Sequence, residues 1–375
     1  MKKKYVFISN MASPYQVKFC YALQEYFEAQ FWFYEYIDST RPSWWMIPLG
    51  NKCKILKYSG KNRVLGYYSF SVFWELIKFK PDVVMLGGFT KWHVLVLWLA
   101  KLLGAKVAIM SEPLRYVKDD DIATTELMTK ENSPNKVRKI KRYFSKADYF
   151  ISMEKFAQKQ FIEEFGLDEQ KVFYLSYPQD IDAYFEHPLR RIQKGDNVKL
   201  LFANRLVDRY QPILALKVYK QLKTKYNISL YMNSEGSQKE ECERFIEEND
   251  LKDVVFLEKI ESWDSMNLIY KNCDILFLPG LYSNGNGTII EARASGMGVV
   301  ISNQINNIAR HSSNGINCFI CKLDQEEFVQ AISKYLENPE LITEHGLKSR
   351  DAVTYLRNQE MAKTYFSELK VRGII

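Results

Sequence analysis

The sequence predicts an α/β protein made of two doubly wound parallel sheets, one in each of two domains facing a central cleft. Three observations carry this. Short apolar runs alternate with helix-length amphipathic segments, as βαβ units require. The alternation restarts after a proline-bearing stretch near residue 190. The chain has 375 residues, and domains usually hold roughly 100–200 each.

The first half starts with a strand at Tyr5–Ser9. Ser13 then suits a helix N-cap and Pro14 a first helical position, so a helix is expected over Pro14–Phe27. Strands follow at Gln30–Tyr36, Cys53–Tyr58, Asp82–Leu86, Lys106–Met110, Tyr149–Ile151 and Val172–Leu175. Between them, apolar residues at helical spacing predict helices over Tyr67–Phe79, Lys91–Leu103, Val137–Phe144 and Glu154–Phe165. Tyr177–Asn197, with Pro178, Pro188 and the basic run Arg190 to Gly195, reads as a linker.

Beyond it the pattern resumes. Strands are expected at Val198–Ala203, Ser229–Met232, Val254–Glu258, Ile275–Leu278, Gly298–Ser302 and Cys318–Ile320. Helices are expected at Pro212–Lys223, Lys239–Asn249, Trp263–Asn272, Thr288–Ser295 and Gln325–Glu337, with a last one over Met361–Lys370. The expected domains are 1–190 and 197–355, with 356–375 returning to the first. In open parallel sheets ligands bind outside the carboxyl ends of the strands, which makes the cleft the expected site.

Composition narrows the class. Apolar residues make up 47% and charged ones 26%, an ordinary globular balance. A net charge of +7 favours an anionic partner, yet no nucleic-acid recognition module accompanies it. The six cysteines read as free thiols, and Cys318-Phe-Ile-Cys321 has no second pair to complete a zinc site. Met1-Lys-Lys-Lys4 leads straight into a strand instead of a secretory signal, so a cytoplasmic location is expected. The longest apolar stretch, Trp92–Leu103, contains His93 and Lys101 and is too short to span a bilayer. Asp119-Asp120-Asp121 reads as a solvated loop and not as a cation site. Lys136, Arg138, Lys139, Lys141 and Arg142 lie among Val, Ile, Tyr and Phe, which predicts a basic amphipathic helix suited to an anionic membrane surface. A solvated helix face is the alternative.

The chemistry concentrates in Ile275–Ser302. An apolar strand ends at Pro279-Gly280, and a loop with Gly285 and Gly287 opens a helix at about Thr288. Glycines let a backbone approach a ligand closely, and the free N–H groups of a helix start suit a diphosphate. Glu291, one turn inside, is placed to accept hydrogen bonds from a ribose diol. Glycines serving only the turns are the alternative.

This stretch resembles the C-terminal signature of family-four GT-B-fold retaining glycosyltransferases, the glycosyl transferases group 1. Ile8–Tyr15 resembles that family's first strand and loop. Leu201-Phe-Ala-Asn-Arg205-Leu-Val207 resembles its "GRL" strand end, Tyr231–Gly236 its "GxG" loop, and Asn314-Gly315 its late turn. The resemblance implies two Rossmann-like domains and transfer of a hexose-type sugar from a nucleotide sugar to a glycan or lipid-linked acceptor. It further implies retention of configuration, no metal or other cofactor, and products such as capsule or lipopolysaccharide units. It assigns the donor to Ser283, Gly285, Asn286, Gly287, Thr288, Ile289, Glu291, Gly236 and Ser13. Arg205 and Arg209 would neutralise the leaving diphosphate, while Glu112 and His93 are candidates for contact with the reacting sugars.

Departures are visible. Ser283 stands where the family has its first Glu, Gly287 arrives one residue late, and Tyr210 stands where a lysine is usual, beside Arg209. Ser111-Glu112-Pro113 replaces the N-domain histidine of many relatives. These leave two other readings open: a non-catalytic nucleotide-sugar-binding partner of another transferase, or an epimerase of the same fold.

Overall fold

A computed structural model describes residues 1–38, 41, 43–114, 132–257, 261–283, 286–305 and 311–375. The chain divides into two compact units. The first takes in Met1–Arg115, Glu131–Asp180 and Leu356–Ile375, the second Ile181–Tyr355.

In the first unit the strands are β1 (Lys4–Met11), β2 (Glu28–Glu35), β3 (Cys53–Ile55), β4 (Ser59–Asn62), β5 (Gly66–Ser69), β6 (Val83–Gly87), β7 (Lys106–Ser111), β8 (Tyr149–Ser152) and β9 (Val172–Tyr174). Its main sheet has the order β3-β2-β1-β6-β7-β8-β9, every neighbouring pair parallel. A parallel sheet needs apolar side chains on both faces because helices cover both. On β1, Val6 and Ile8 point to one face and Tyr5 and Phe7 to the other, and all four are buried. The Val6 face packs on helices Ser71–Phe79, Lys91–Leu102 and Pro134–Phe144 through Leu76, Val96 and Phe144. The Phe7 face packs on Phe31, with ring centroids 5.1 Å apart, and the rings continue through Phe19 of helix Pro14–Ala22. Phe19 meets Tyr365 of the C-terminal helix Asn358–Val371 at 4.9 Å, and the Tyr365 hydroxyl donates to the Ser176 carbonyl at 2.9 Å. The last helix is thus built into the first unit.

The second unit holds β10 (Val198–Phe202), β11 (Ile228–Met232), β12 (Val254–Phe256), β13 (Ile275–Leu278), β14 (Gly298–Ser302) and β15 (Phe319–Cys321). They form one parallel sheet in the order β12-β11-β10-β13-β14-β15.

Several elements differ from the sequence expectation. The helix expected over Tyr67–Phe79 begins only at Ser71. Gly66–Ser69 instead pairs antiparallel with Ser59–Asn62, and the Asn62 side chain closes the turn by accepting from the Val64 and Leu65 N–H groups at 2.9 and 2.7 Å. Helix Glu340–Val353 was not anticipated. The composition of Tyr177–Asn197 suggests a loose linker, yet the second unit already takes in the chain at Ile181. The reason is Arg190, which is 6% exposed and donates to the carbonyls of Pro188, Tyr270, Cys273 and Ser295. Burying a guanidinium demands such partners. All six cysteines are free and buried.

Candidate active site

In the second unit the loops after β10, β11 and β13 lie at one edge of the sheet, because these strands are neighbours and parallel. Backbone bonds join them. Leu206 N–H donates to the Glu235 carbonyl at 2.7 Å, and Gln238 N–H donates to the Leu206 carbonyl at 2.8 Å. Leu281 N–H donates to the Arg209 carbonyl at 2.8 Å. Gly236, at φ +147°, lies against the Leu206 backbone so closely that an added Cβ would overlap it. Its lack of a side chain therefore serves the contact between two loops.

The glycine-rich loop delivers the chain into helix Gly287–Ala294. Asn286, buried, takes the left-handed conformation at φ +50° as N-cap, and its side chain makes no capping bond. The first ladder bond runs from Ile290 N–H to the Asn286 carbonyl at 2.9 Å. The N–H groups of Gly287, Thr288 and Ile289 precede that ladder, as helix geometry requires. Among the described residues no atom lies within 4 Å of where a Gly287 Cβ would stand, so none of them closes the approach to these donors. Ser283 is buried, and Gly285 lies outside the described residues. The acidic run Asp119–Asp121 lies outside them too, as does Glu258 at the end of the third strand expected in this unit.

Glu291 is half-buried one turn along and accepts from the Tyr270 hydroxyl at 2.5 Å. Burial, and then the Glu291 charge, hold Tyr270 well above the usual tyrosine range, so it stays a donor. The Tyr270 ring packs on Tyr184 at 5.3 Å, and its carbonyl accepts from Arg190. Sequence reading found Glu291 and missed Tyr270.

Arg205 stands exposed on the loop after β10, with no ion-pair partner among the described residues. A surface salt bridge does not account for it. Arg209 is half-buried, with its guanidinium over the Tyr210 ring at 4.7 Å. Tyr210 is itself buried, so the position where a lysine is usual supplies packing.

The candidates in the first unit separate. His93 is 1% exposed, on the first turn of its helix, with Nδ1 2.9 Å from the Gly88 carbonyl and its ring stacked on Tyr34. Burial pushes its pKa down to about 4. It is a neutral, packed ring. Ser13 caps the Pro14–Ala22 helix by position only, because its side chain makes no capping bond. Glu112 is exposed directly after β7; burial raises the tyrosines Tyr15 and Tyr177, and the Glu112 charge adds to it. Those two rings meet at 5.1 Å, and Trp45 adds a third face 6.0 Å from Tyr15. No local sequence pattern joins these rings; only the fold gathers them beside Glu112.

The fold and this edge of the second sheet define the class: GT-B, two Rossmann-like halves. Residues 186–351 match the family described as glycosyl transferases group 1. No curated protein matches the sequence significantly. Solved structures match over almost the whole length. A glycosyltransferase from Rickettsia africae aligns at TM-score 0.73 and 14% identity, covering 99% of both chains. The lipopolysaccharide outer core galactosyltransferase WaaB aligns at 0.67 and 14%, covering 98% of this chain and 99% of the other. HepE from Anabaena, in complex with UDP and glucose, aligns at 0.68 and 13%, with 98% and 99% covered. At such identities these structures establish the fold.

Proposed function

We propose that this protein transfers a hexose-type sugar from a nucleotide-sugar donor to a glycan or lipid-linked acceptor in surface polysaccharide assembly, with retention and without a metal. One observation carries the reading. The N-terminus of helix Gly287–Ala294, with Glu291 one turn along it, and Arg205, without an ion-pair partner among the described residues, lie at one sheet edge. In this reading the N–H groups of Gly287, Thr288 and Ile289 hold the diphosphate, beside Ser283, Asn286 and Gly285. Glu291, oriented by Tyr270, accepts from the ribose hydroxyls, while Gly236 holds the loop that presents Arg205. As the bond from the anomeric carbon to phosphate breaks, Arg205 and Arg209 stabilise the charge growing on the departing diphosphate. The acceptor hydroxyl bonds to the anomeric carbon, and its proton passes to the leaving phosphate oxygen. Glu112 and the Tyr15, Trp45 and Tyr177 rings offer a sugar-binding face on the first unit.

Among the similar structures are complexes with UDP, with UDP-glucose and with α-GlcNAc-glycerol and UDP, so UDP-sugars head the donor panel. Ser283 and Tyr210 favour a second reading, a partner that binds donor without turning it over. The test follows nucleotide release from a panel of nucleotide sugars, with lipid-linked acceptor extract, in excess chelator. Release is expected from wild type. Arg205→Ala should lower turnover about 10²–10³-fold while changing donor affinity far less. Donor binding without release establishes the passive partner instead, and release lost in chelator but restored by magnesium refutes metal independence.

A further inference from the structure

Helices Ser71–Phe79, Lys91–Leu102 and Pro134–Phe144 bury their inner sides in one core on one face of the first unit's sheet. Their outer sides therefore look the same way. On the first, Phe70, Trp74 and Ile77 are exposed, and on the second Leu95, Trp98 and Leu102. The spacings of four and three residues put each trio along one helix face. Trp74 and Trp98 are 67% and 54% exposed, which is unusual for the largest apolar side chain. Single exposed apolar residues need no explanation, but two adjoining stripes of them do.

The third helix completes the surface. Its outer side shows Arg138, Lys139, Lys141 and Arg142, and it carries no acid. Together the three helices carry eight Lys or Arg and one acid, Glu75, which Lys54 already engages at 2.6 Å. The whole chain has 52 Lys and Arg against 45 Asp and Glu, so outside these helices the two signs balance. The formal net charge thus falls on these helices, where Asp148 engages Lys101 at 2.8 Å and the third helix keeps Arg138, Lys139, Lys141 and Arg142 exposed.

We propose that this face docks onto an anionic lipid bilayer. Trp74, Trp98 and their neighbours would enter the headgroup region, and the basic helix would lie along the lipid phosphates. Positive charge attracts the leaflet, while tryptophan and leucine supply the buried area that charge alone lacks. No helix among the described residues is long and apolar enough to cross a membrane, so the contact is with the surface.

The test sediments the full chain with phosphatidylcholine vesicles, with and without phosphatidylglycerol, over a salt series. Wild type should bind only the anionic vesicles and keep part of its binding at high salt. The combined variant Trp74→Ser, Trp98→Ser, Leu102→Ser should bind about tenfold less and lose all binding at high salt. The variant Arg138→Gln, Lys139→Gln, Lys141→Gln, Arg142→Gln should lose binding even at low salt. Thermal unfolding checks that both variants fold. Should they not, quenching of wild-type tryptophan fluorescence by brominated anionic lipid decides, and no quenching overturns the proposal. Equal sedimentation of all three forms overturns it. So does a wild-type dimer that ignores vesicles and that the serine variant converts to monomer. None of these readouts depends on sugar transfer, so failure here leaves that reading standing.

Discussion

Glu291 and Tyr270 stand 21 positions apart, and their hydrogen bond orients the carboxylate proposed to meet the donor. Glu291 was legible because its spacing from the glycines puts it one turn inside a helix start. Tyr270 was not, because an apolar helix shows nothing of which hydroxyl will turn inward. Tyr270→Phe tests the pair. The ring should still pack on Tyr184, so the fold should hold. Losing one hydrogen bond costs about 0.5–1.5 kcal/mol, which by calorimetry should appear as roughly two- to tenfold weaker binding of the nucleotide sugar. Unchanged affinity would mean that Glu291 needs no orienting partner or does not meet the ribose.

Among the elements of the second unit, the loops at the sheet edge act as one piece, and two glycines in them have different work. Gly236 is where one backbone crosses another, and its φ of +147° also disfavours a side chain. Gly287 starts a helix and faces open space. Gly236→Ala should therefore cost about 2–4 kcal/mol of stability, as backbone overlap and strain do. Gly287→Ala should stay within about 1 kcal/mol of wild type, while weakening donor binding by placing a methyl where a phosphate approaches. Urea unfolding of both variants decides the first point and calorimetry the second. The sequence marks both glycines as loop residues. Which one is pressed against a neighbour depends on the β10–β11 contact, and no local pattern records that.

For the molecule as a whole, His93 couples folding to pH. Its folded-state pKa lies near 4, against 6.5 for the free side chain, because burial disfavours the charged ring. The unfolded chain binds the proton more readily. Stability from the neutral ring is thus complete above about pH 6.5 and is lost as pH falls toward 4, roughly 3 kcal/mol in all. His93→Asn, whose amide can still donate to the Gly88 carbonyl, should flatten the fall in unfolding free energy between pH 7 and 4.5. Parallel curves for both proteins would place the pH dependence elsewhere.

What the sequence determined by itself is the order of the main-sheet strands and of most helices, the α/β class and the loop that opens helix Gly287–Ala294. These rest on periodicity, glycine and proline, whose effects act within a few residues. Only the tertiary structure decided which polar groups are buried and which apolar ones are left outside. His93 could be read from the sequence as a packed ring or as a cleft residue, and the fold stacks it on Tyr34. Arg190 looked like linker charge until four carbonyls surrounded it. Trp74 and Trp98 lie within predicted helices, and only the packing of those helices leaves both exposed. Burial is a sum over neighbours distant in sequence, so it appears only once the sheets have formed.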